Sequence, residues 1–340
     1  MTRDNHYVPR AALRRWSVDG RTVYARRLLV SDERVPPWSR MYIRGLAKYR
    51  DLYTVFSGHR ESDEFEQWLT TRFEQPGNDA IEKILHGDRL TMDEWHALAR
   101  YLAAQDLRTP QSFIYLMNHW EKALPEVLDK TIRDATEKYQ EAKRKGITLK
   151  AKNADDHPLA GLFKIEIVPK SQSDTGQAMV HAETTLGRRM WIADMRHLLM
   201  GAAERLCRNQ WSIVEPAEGT EWPMTDHPVL KLNYRSPTEY DFGGGWGRPH
   251  SELMMPLSPK HLLFAHVGKD NGRRITFSRE HTLLVRRFLV ERAHRWVFAT
   301  RPMQWIVDAK KRLADRETFD FEERQWANWH EDQTQAEMSR

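Results

Sequence analysis

Residues that can move protons or hold phosphate are concentrated at the start of the chain. His6 and Tyr7 precede Pro9, and Arg14 follows a few residues later. A histidine exchanges protons or ligates metals near neutral pH, and arginine pairs with phosphate. Because chain termini usually fray, we expect this segment either to be fixed in the body of the protein as part of a site or to be a basic arm that finds a partner. Hydrogen bonds from His6 and Tyr7 that merely tie down the terminus are the structural alternative.

A second polar group ends a predicted helix. Gln105, Asp106 and Arg108 lie in the last turn before Thr109 and Pro110. Burying a carboxylate costs several kcal/mol unless it is paired, so Arg108 is expected either to pair with Asp106 or to bind phosphate. Anchoring of the helix end explains the same residues without chemistry.

A third group is the turn that contains Asp226 and His227, between two strand-like runs. Loops held by a sheet often carry catalytic groups, and Asp226 would there hold a metal, orient His6 or act as a base. A structural Asx-turn is the alternative. Glu74 adds a carboxylate from a helix. Glu66 precedes Glu74 by eight residues, which corresponds to about 80° around and about 12 Å along an ideal helix. Glu66 and Glu74 therefore cannot form a carboxylate pair by themselves.

Several chemistries are excluded. The run Gly243-Gly244-Gly245 lacks the lysine and hydroxyl of a phosphate-binding loop, so it is predicted to be a flexible loop. There is no pair of cysteines for a structural zinc site, and the single cysteine, Cys207, agrees with a reducing compartment. No apolar run approaches the roughly 18 residues that span a bilayer, and no signal peptide begins the chain. We therefore expect a cytoplasmic protein without membrane contact.

The charge balance favours a polyanionic partner. The 340 residues include 53 Lys and Arg against 48 Asp and Glu, a net charge of +5. Arginines are dense in the first thirty residues, which would attract phosphate. Solvated surface arginine is the alternative explanation.

The pattern of apolar residues predicts an α+β fold. Residues 1–55 are irregular or β, and helices follow from Ser62 to about Lys145, one opened by a capping box at Thr91. Pro125 should kink or restart its helix. After a linker at 147–159 we expect a strand at 163–168, a helix at about 190–208 and short strands. A long helix starting after Ser278 should follow, and from about Phe319 a polar tail that ends in disorder.

These elements predict a helical N-terminal half packed with a smaller, mainly antiparallel sheet and a long C-terminal helix. The helical part covers about residues 60–146 and the sheet-containing part about residues 159–300. Together they form a single domain over residues 1–300. Residues 301–340 are expected to form a charged C-terminal helix and tail.

The chain resembles the bacterial domain-of-unknown-function family 4238 over roughly residues 5–300. The resemblance rests on an ordered set of motifs: His6-Tyr7-Val8-Pro9 with Leu13-Arg14, Phe73-Glu74, Gln105-Asp106-Leu107-Arg108-Thr109-Pro110, Thr225-Asp226-His227-Pro228 and Met255-Pro256-Leu257-Ser258-Pro259. This sequence departs from the family pattern in His227, where asparagine is common, and in Ala11-Ala12, where bulky residues often stand. The resemblance implies a common fold and a common site but supplies no reaction.

Our hypothesis is that the N-terminal segment folds back to form one polar pocket open to water. In it His6, Glu74 and Asp226 would be catalytic, and Tyr7, Arg14, Gln105 and Arg108 would bind substrate. With or without a divalent metal, such a pocket suits phosphodiester hydrolysis of nucleic acid. The alternative is a non-catalytic module in which the same residues form a buried network and the basic face binds nucleic acid or protein.

Overall fold

The computed structural model describes residues 3–57, 60–148, 163–169 and 178–338. Its α-helices are α1 (Arg10–Arg14), α2 (Glu64–Leu69), α3 (Gln75–His86), α4 (Met92–Leu107), α5 (Pro110–Arg144), α6 (Arg188–His197), α7 (Glu204–Cys207), α8 (Arg279–Arg292), α9 (Gln304–Ala309), α10 (Arg316–Ala327) and α11 (Trp329–Met338). Wider π-helical turns join α2 to α3 and α6 to α7, at Thr70–Glu74 and Leu198–Ala202. A 3-10 turn covers Ile43–Gly45.

The strands fall into two larger sheets and several two-stranded ribbons. They are β1 (Asp4–His6), β2 (Thr22–Arg27), β3 (Leu29–Val30), β4 (Ser39–Tyr42), β5 (Lys48–Arg50), β6 (Val55–Ser57), β7 (Arg60–Ser62), β8 (Phe163–Pro169), β9 (Ala178–Thr184), β10 (Ser212–Glu215), β11 (Met224–Thr225), β12 (Leu230–Ser236), β13 (Glu239–Asp241), β14 (Ser251–Ser258), β15 (His261–His266), β16 (Arg274–Thr276), β17 (Trp296–Ala299) and β18 (Leu313–Ala314). The prediction of an α+β fold is confirmed.

The larger sheet has six strands in the order β13-β12-β14-β15-β10-β16. Neighbouring strands are antiparallel except β10 and β16, which are parallel. The second sheet, in the order β11-β17-β2-β4, joins the N-terminal region to strands from the end of the chain. Long-range pairing of this kind places residues 200 or more positions apart side by side, as when Ala25 of β2 faces Phe298 of β17.

Helix α4 is central to the packing. Its capping box is present as predicted: Thr91 Oγ1 accepts a hydrogen bond from the Glu94 amide (3.3 Å), and the Glu94 carboxylate accepts one from the Thr91 amide (2.8 Å). Close packing against α3 depends on Gly77, where an added Cβ would lie 2.5 Å from Tyr101 Cβ. Every residue of α4 from Tyr101 to Leu107 is buried, so the polar residues of its last turn are fixed in the interior.

The larger sheet separates two apolar cores because successive side chains of a strand point to opposite faces. On β14, Leu253 and Met255 join the main core with α4 and α6, whereas Met254 packs with Phe288 and Leu289 of α8. Both faces of β14 are therefore buried.

Helix α5 is continuous through Pro125 to Arg144, so it does not restart there. Helix α8 begins after Ser278 as predicted but ends at Arg292, because Trp296–Ala299 forms β17 between β11 and β2, where Val297 and Phe298 are buried. A long C-terminal helix is therefore not clearly present. The polar tail is helical in α10 and α11 as far as Met338, and its last two residues, where disorder was expected, lie outside the described residues. The expected linker lies mostly outside the described residues.

Candidate functional site

Arg108 is buried where three parts of the chain meet. It caps the C-terminus of α4, and its Nη2 donates a hydrogen bond to the His6 carbonyl (2.7 Å). The guanidinium forms ion pairs with Glu74 and, at 3.5 Å, with Glu66. It also lies 5.5 Å from the ring centroid of Tyr53, a cation–π distance. We call Arg108, Glu66 and Glu74 the Arg108 cluster.

The Arg108 cluster is a closed ion network. Arg108 is 1% exposed, and the side chains of Glu66 and Glu74 are about 15% and 14% exposed. Burial raises the pKa of the Glu66 carboxyl, and the neighbouring Arg108 opposes that rise. Removing one member of such a largely buried ion network is strongly destabilising, and an arginine already paired to two carboxylates has little charge left for a phosphate.

The N-terminal segment is fixed in the body of the protein, as one of the two alternatives predicted. β1 pairs with β5, and Tyr7 is buried with its ring stacked on Tyr49 at 5.5 Å between centroids. The His6 imidazole is half-buried, and burial, followed by the charge of Arg10, lowers its pKa to about 4. His6 is therefore neutral at pH 7. Arg14 is exposed on α1, on the protein surface.

The carboxylate of Asp226 binds backbone. Its Oδ1 accepts a hydrogen bond from the amide of His294 (2.8 Å), and its Oδ2 accepts one from that of Arg295 (2.7 Å). This arrangement attaches the turn after β11 to the segment between α8 and β17. Burial raises the pKa of the Asp226 carboxyl to about 6, although the two amides oppose that rise. Both bonds run to residues 68 and 69 positions away, so the carboxylate has a structural role that differs from the predicted Asx-turn, in which an aspartate binds backbone close to itself in sequence.

His227 points away from Asp226 toward the end of α4. The imidazole is 2% exposed, and its Nδ1 lies 2.9 Å from Thr109 Oγ1. Its Nε2 has no hydrogen-bond partner among the described residues. Burial, with Arg292 and Lys231 nearby, lowers the pKa of the imidazole well below its usual value.

Asp106 lies on the opposite side of α4 from Arg108, since two residues span about 200° of a helix. One carboxylate oxygen, Oδ2, accepts hydrogen bonds from Lys231 Nζ (2.7 Å) and from the Trp246 indole (2.9 Å). The other, Oδ1, has no hydrogen-bond partner in the part of the chain that the structure describes. The neighbouring Gln105 is 1% exposed, and neither atom of its amide group finds a partner there.

A cleft of about 480 Å³ opens above Asp106, next to residues 243–247. We call it the glycine-loop cleft. Gly244 is required here, because a Cβ at this position would lie 2.8 Å from the carbonyl carbon of Lys231. The polar and aromatic lining consists of Asp106, Ser112, Tyr115, Arg205, Lys231, Trp246 and Arg248.

The rim of the glycine-loop cleft is cationic and aromatic. Arg205 and Arg248 are exposed, and neither pairs with a carboxylate among the described residues. Tyr115, in the second turn of α5, is 69% exposed beside them. Lys231 is neutralised by Asp106, so the two arginines carry the free positive charge of the cleft.

A sequence model of the family described as protein of unknown function (DUF4238) matches residues 4–302. The chain belongs to this family. No curated protein and no solved structure matches the chain. The DUF4238 match includes the Arg108 cluster, the Asp226 turn and the glycine-loop cleft, and it ends before α9.

The predicted site residues of this DUF4238 chain have different partners. Glu74 and Arg108 meet with the backbone of His6, whereas the carboxylate of Asp226 binds the amides before β17. Tyr7 and Gln105 are buried, and Arg14 is on the surface.

Sequence reasoning missed the cleft residues Tyr115, Arg205, Lys231, Trp246 and Arg248. Two local signals could have identified part of this set: Trp246 stands among glycines, and Tyr115 lies at an exposed position of α5.

Neither a metal-holding cluster nor a membrane-spanning helix is present in the described ranges of this DUF4238 chain. Among those residues, no group of three or more His, Cys, Asp or Glu is arranged to hold a metal ion. Within the same residues no helix has both the length and the apolar character needed to cross a bilayer.

Asp226 should make the stability of this DUF4238 chain depend on pH. A carboxyl whose pKa is about 6 when folded and about 3.9 when unfolded binds more protons in the folded state between these values. The contribution of Asp226 to the free energy of unfolding is fully present below about pH 4. It is lost as the pH rises to about 6, by at most about 1.4 kcal/mol per pH unit. We expect urea unfolding of the wild type, measured relative to Asp226→Asn, to show this decline. If the difference in the free energy of unfolding between the wild type and Asp226→Asn instead increases with pH, the hydrogen bonds from the two amides lower the pKa of Asp226 more than burial raises it.

Proposed function

We propose that the chain binds single-stranded nucleic acid in the glycine-loop cleft. The observation that carries the proposal is the exposed ring of Tyr115 beside Arg205 and Arg248, which form no ion pair among the described residues. Proteins that bind single strands combine a cationic groove for the backbone with aromatic rings on which bases stack.

The cleft is supported from below by a fixed polar group. Asp106 holds both the Lys231 ammonium and the Trp246 indole, so the glycine loop is attached to the end of α4. Arg248 Nη1 donates a hydrogen bond to the Gly243 carbonyl (3.1 Å), which keeps its charge at the rim. A preorganised rim loses less side-chain entropy when it binds a phosphate.

Fluorescence anisotropy with labelled single-stranded oligonucleotides tests the proposal. Tyr115→Ala should weaken binding by about 1–3 kcal/mol, roughly fivefold or more, through lost stacking. The double variant Arg205→Ala/Arg248→Ala should reduce the slope of log K against log salt by about 1.4, because about 0.7 counterions are released per phosphate contact on a single strand.

Matched controls are available outside the cleft. Tyr139→Ala removes a tyrosine of α5 that is 60% exposed but lies outside the cleft, and Arg14→Ala removes an exposed arginine from the N-terminal segment. Both should bind like the wild type. If Arg14→Ala weakens binding and the cleft variants do not, the interface is the basic N-terminal segment and the cleft proposal is wrong.

Phosphodiester hydrolysis is the second candidate function. The favouring observation is that Asp106 lines the cationic cleft and keeps one carboxylate oxygen, which is itself buried, without a hydrogen-bond partner among the described residues. A carboxylate next to a bound phosphodiester can orient an attacking water. A different set of residues would carry the same reaction in the hypothesis from the sequence, in which His6, Glu74 and Asp226 are catalytic, with or without a divalent metal.

Cleavage assays separate the two versions. We expect oligonucleotide cleavage with added Mg²⁺ or Mn²⁺ to be lost in Asp106→Asn if the cleft is catalytic, and in His6→Ala or Asp226→Ala if the N-terminal residues are. Each variant must unfold at the same urea concentration as the wild type. If the chain binds oligonucleotides in a salt-dependent way but does not cleave them with either metal ion, only the binding function is supported.

A further inference from the structure

A second cavity lies at one edge of the larger sheet, between the turn that joins α3 to α4 and the strands β10 and β16. Its volume is about 380 Å³, within the roughly 300–1,000 Å³ range of small-molecule sites. It is lined by Ile84, Asp88, Arg89, Leu90, Met92, Trp95, Ile213, Arg273 and Arg274. None of these residues lines the glycine-loop cleft. We call it the arginine-rimmed cavity.

The floor of the arginine-rimmed cavity is apolar. Ile84 and Ile213 are buried, and Trp95 is 8% exposed. At the mouth, Met92 is 58% exposed in the first turn of α4. Exposed methionine at the edge of an apolar recess is typical of surfaces that adapt to a bound apolar group.

The rim carries three exposed guanidinium groups and one carboxylate. Arg273 lies over the Trp95 ring, with its Cζ 4.9 Å from the ring centroid, and donates a hydrogen bond to the Trp211 carbonyl (3.2 Å). Arg274 donates one to the Asp88 carbonyl (3.4 Å), which links β16 to the α3–α4 turn. In the described ranges Arg89, Arg273 and Arg274 form no ion pair, so positive charge exceeds the single carboxylate of Asp88.

We propose that the arginine-rimmed cavity binds a small amphipathic anion, a carboxylate carried on an apolar chain. The apolar floor would take the chain, and Arg273 with Arg89 would pair with the carboxylate at the rim. An inorganic anion does not need the apolar floor, and a neutral lipid does not need the arginines. Charge complementarity and an apolar recess together select a ligand with both parts.

Isothermal titration calorimetry with decanoate tests this proposal on the full chain. We expect saturable binding of decanoate and at least tenfold weaker binding of decanol, which has the same chain without the charge. The double variant Arg89→Met/Arg273→Met should bind decanoate at least tenfold more weakly, because methionine keeps apolar bulk but removes both guanidinium groups. Met92→Trp, which adds bulk at an exposed position, should narrow the mouth and also weaken binding.

The control is Arg14→Met/Arg279→Met, which removes two exposed arginines elsewhere and should bind decanoate like the wild type. Thermal unfolding of every variant establishes that it is folded. The proposal is overturned if decanoate does not saturate, if decanol binds as tightly, or if the Arg89/Arg273 variant binds like the control. Because oligonucleotide binding is measured with different variants, failure here does not affect the glycine-loop cleft.

Discussion

Replacing Arg108 with alanine is expected to lower the free energy of unfolding by about 3–5 kcal/mol. The variant leaves Glu66 and Glu74 buried without their common counter-charge and removes the donor to the His6 carbonyl. Urea unfolding followed by tryptophan fluorescence measures the change. Arg108→Lys should recover only part of the loss, since one ammonium cannot reproduce the planar set of donors that reaches both carboxylates and the carbonyl.

A matched comparison separates this effect from the loss of any arginine. Arg14→Ala removes an exposed arginine and should change stability by less than about 0.5 kcal/mol. The double variant Arg108→Met/Glu74→Gln should be more stable than Arg108→Met alone, because it removes one of the uncompensated charges. A loss below about 1 kcal/mol for Arg108→Ala would show that water reaches the two carboxylates and that the cluster is an open site.

Local signals in the sequence predicted much of the fold. The capping box at Thr91, the strand at 163–168 and the short strands of the larger sheet depend on neighbouring residues, and they are present. The end of α8 was missed because Trp296 and Phe298 continue an apolar run that suits a helix as well as a strand. Pairing with β2, more than 260 residues earlier in the chain, decides that case. Such pairing cannot be read from a local window.

The site was harder to predict for the same reason. Burial of a paired Arg108 follows from its place at the end of an apolar helix, but its partners, Glu66 and Glu74, depend on how α2 and α3 cross α4. Lys231 meets Asp106 across 125 positions of sequence. The sequence suggested that Asp106 and Arg108 could pair, and helix geometry instead separates them to two sides of α4. Both residues are 1% exposed: Arg108 pairs with Glu66 and Glu74, and Asp106 lies beneath the glycine-loop cleft.

The C-terminal segment beyond the family match belongs to the core. The match ends at residue 302, yet the ring of Trp326 stacks on Tyr49 at 4.3 Å, and the indole of Trp329 donates a hydrogen bond to the Leu52 carbonyl (3.3 Å). Trp329 also packs edge-on against Phe113 at 4.9 Å. These contacts join α10 and α11 to β5, to the segment after it and to α5. The segment therefore covers the N-terminal residues that hold the Arg108 cluster.

Trp329→Ala should accordingly cost about 3–5 kcal/mol in the free energy of unfolding, through lost apolar burial and the cavity that remains. The control is Phe321→Ala on α10, where the ring is 62% exposed and the change should stay below about 1 kcal/mol. Urea unfolding of both variants measures the difference. Equal, small losses would mean that α11 is only loosely attached, and the family region would then be expected to fold without it. A large loss for Trp329 alone would instead make the last two helices part of the unit that folds cooperatively, because a side chain contributes its full burial energy to global unfolding only when its segment unfolds together with the rest.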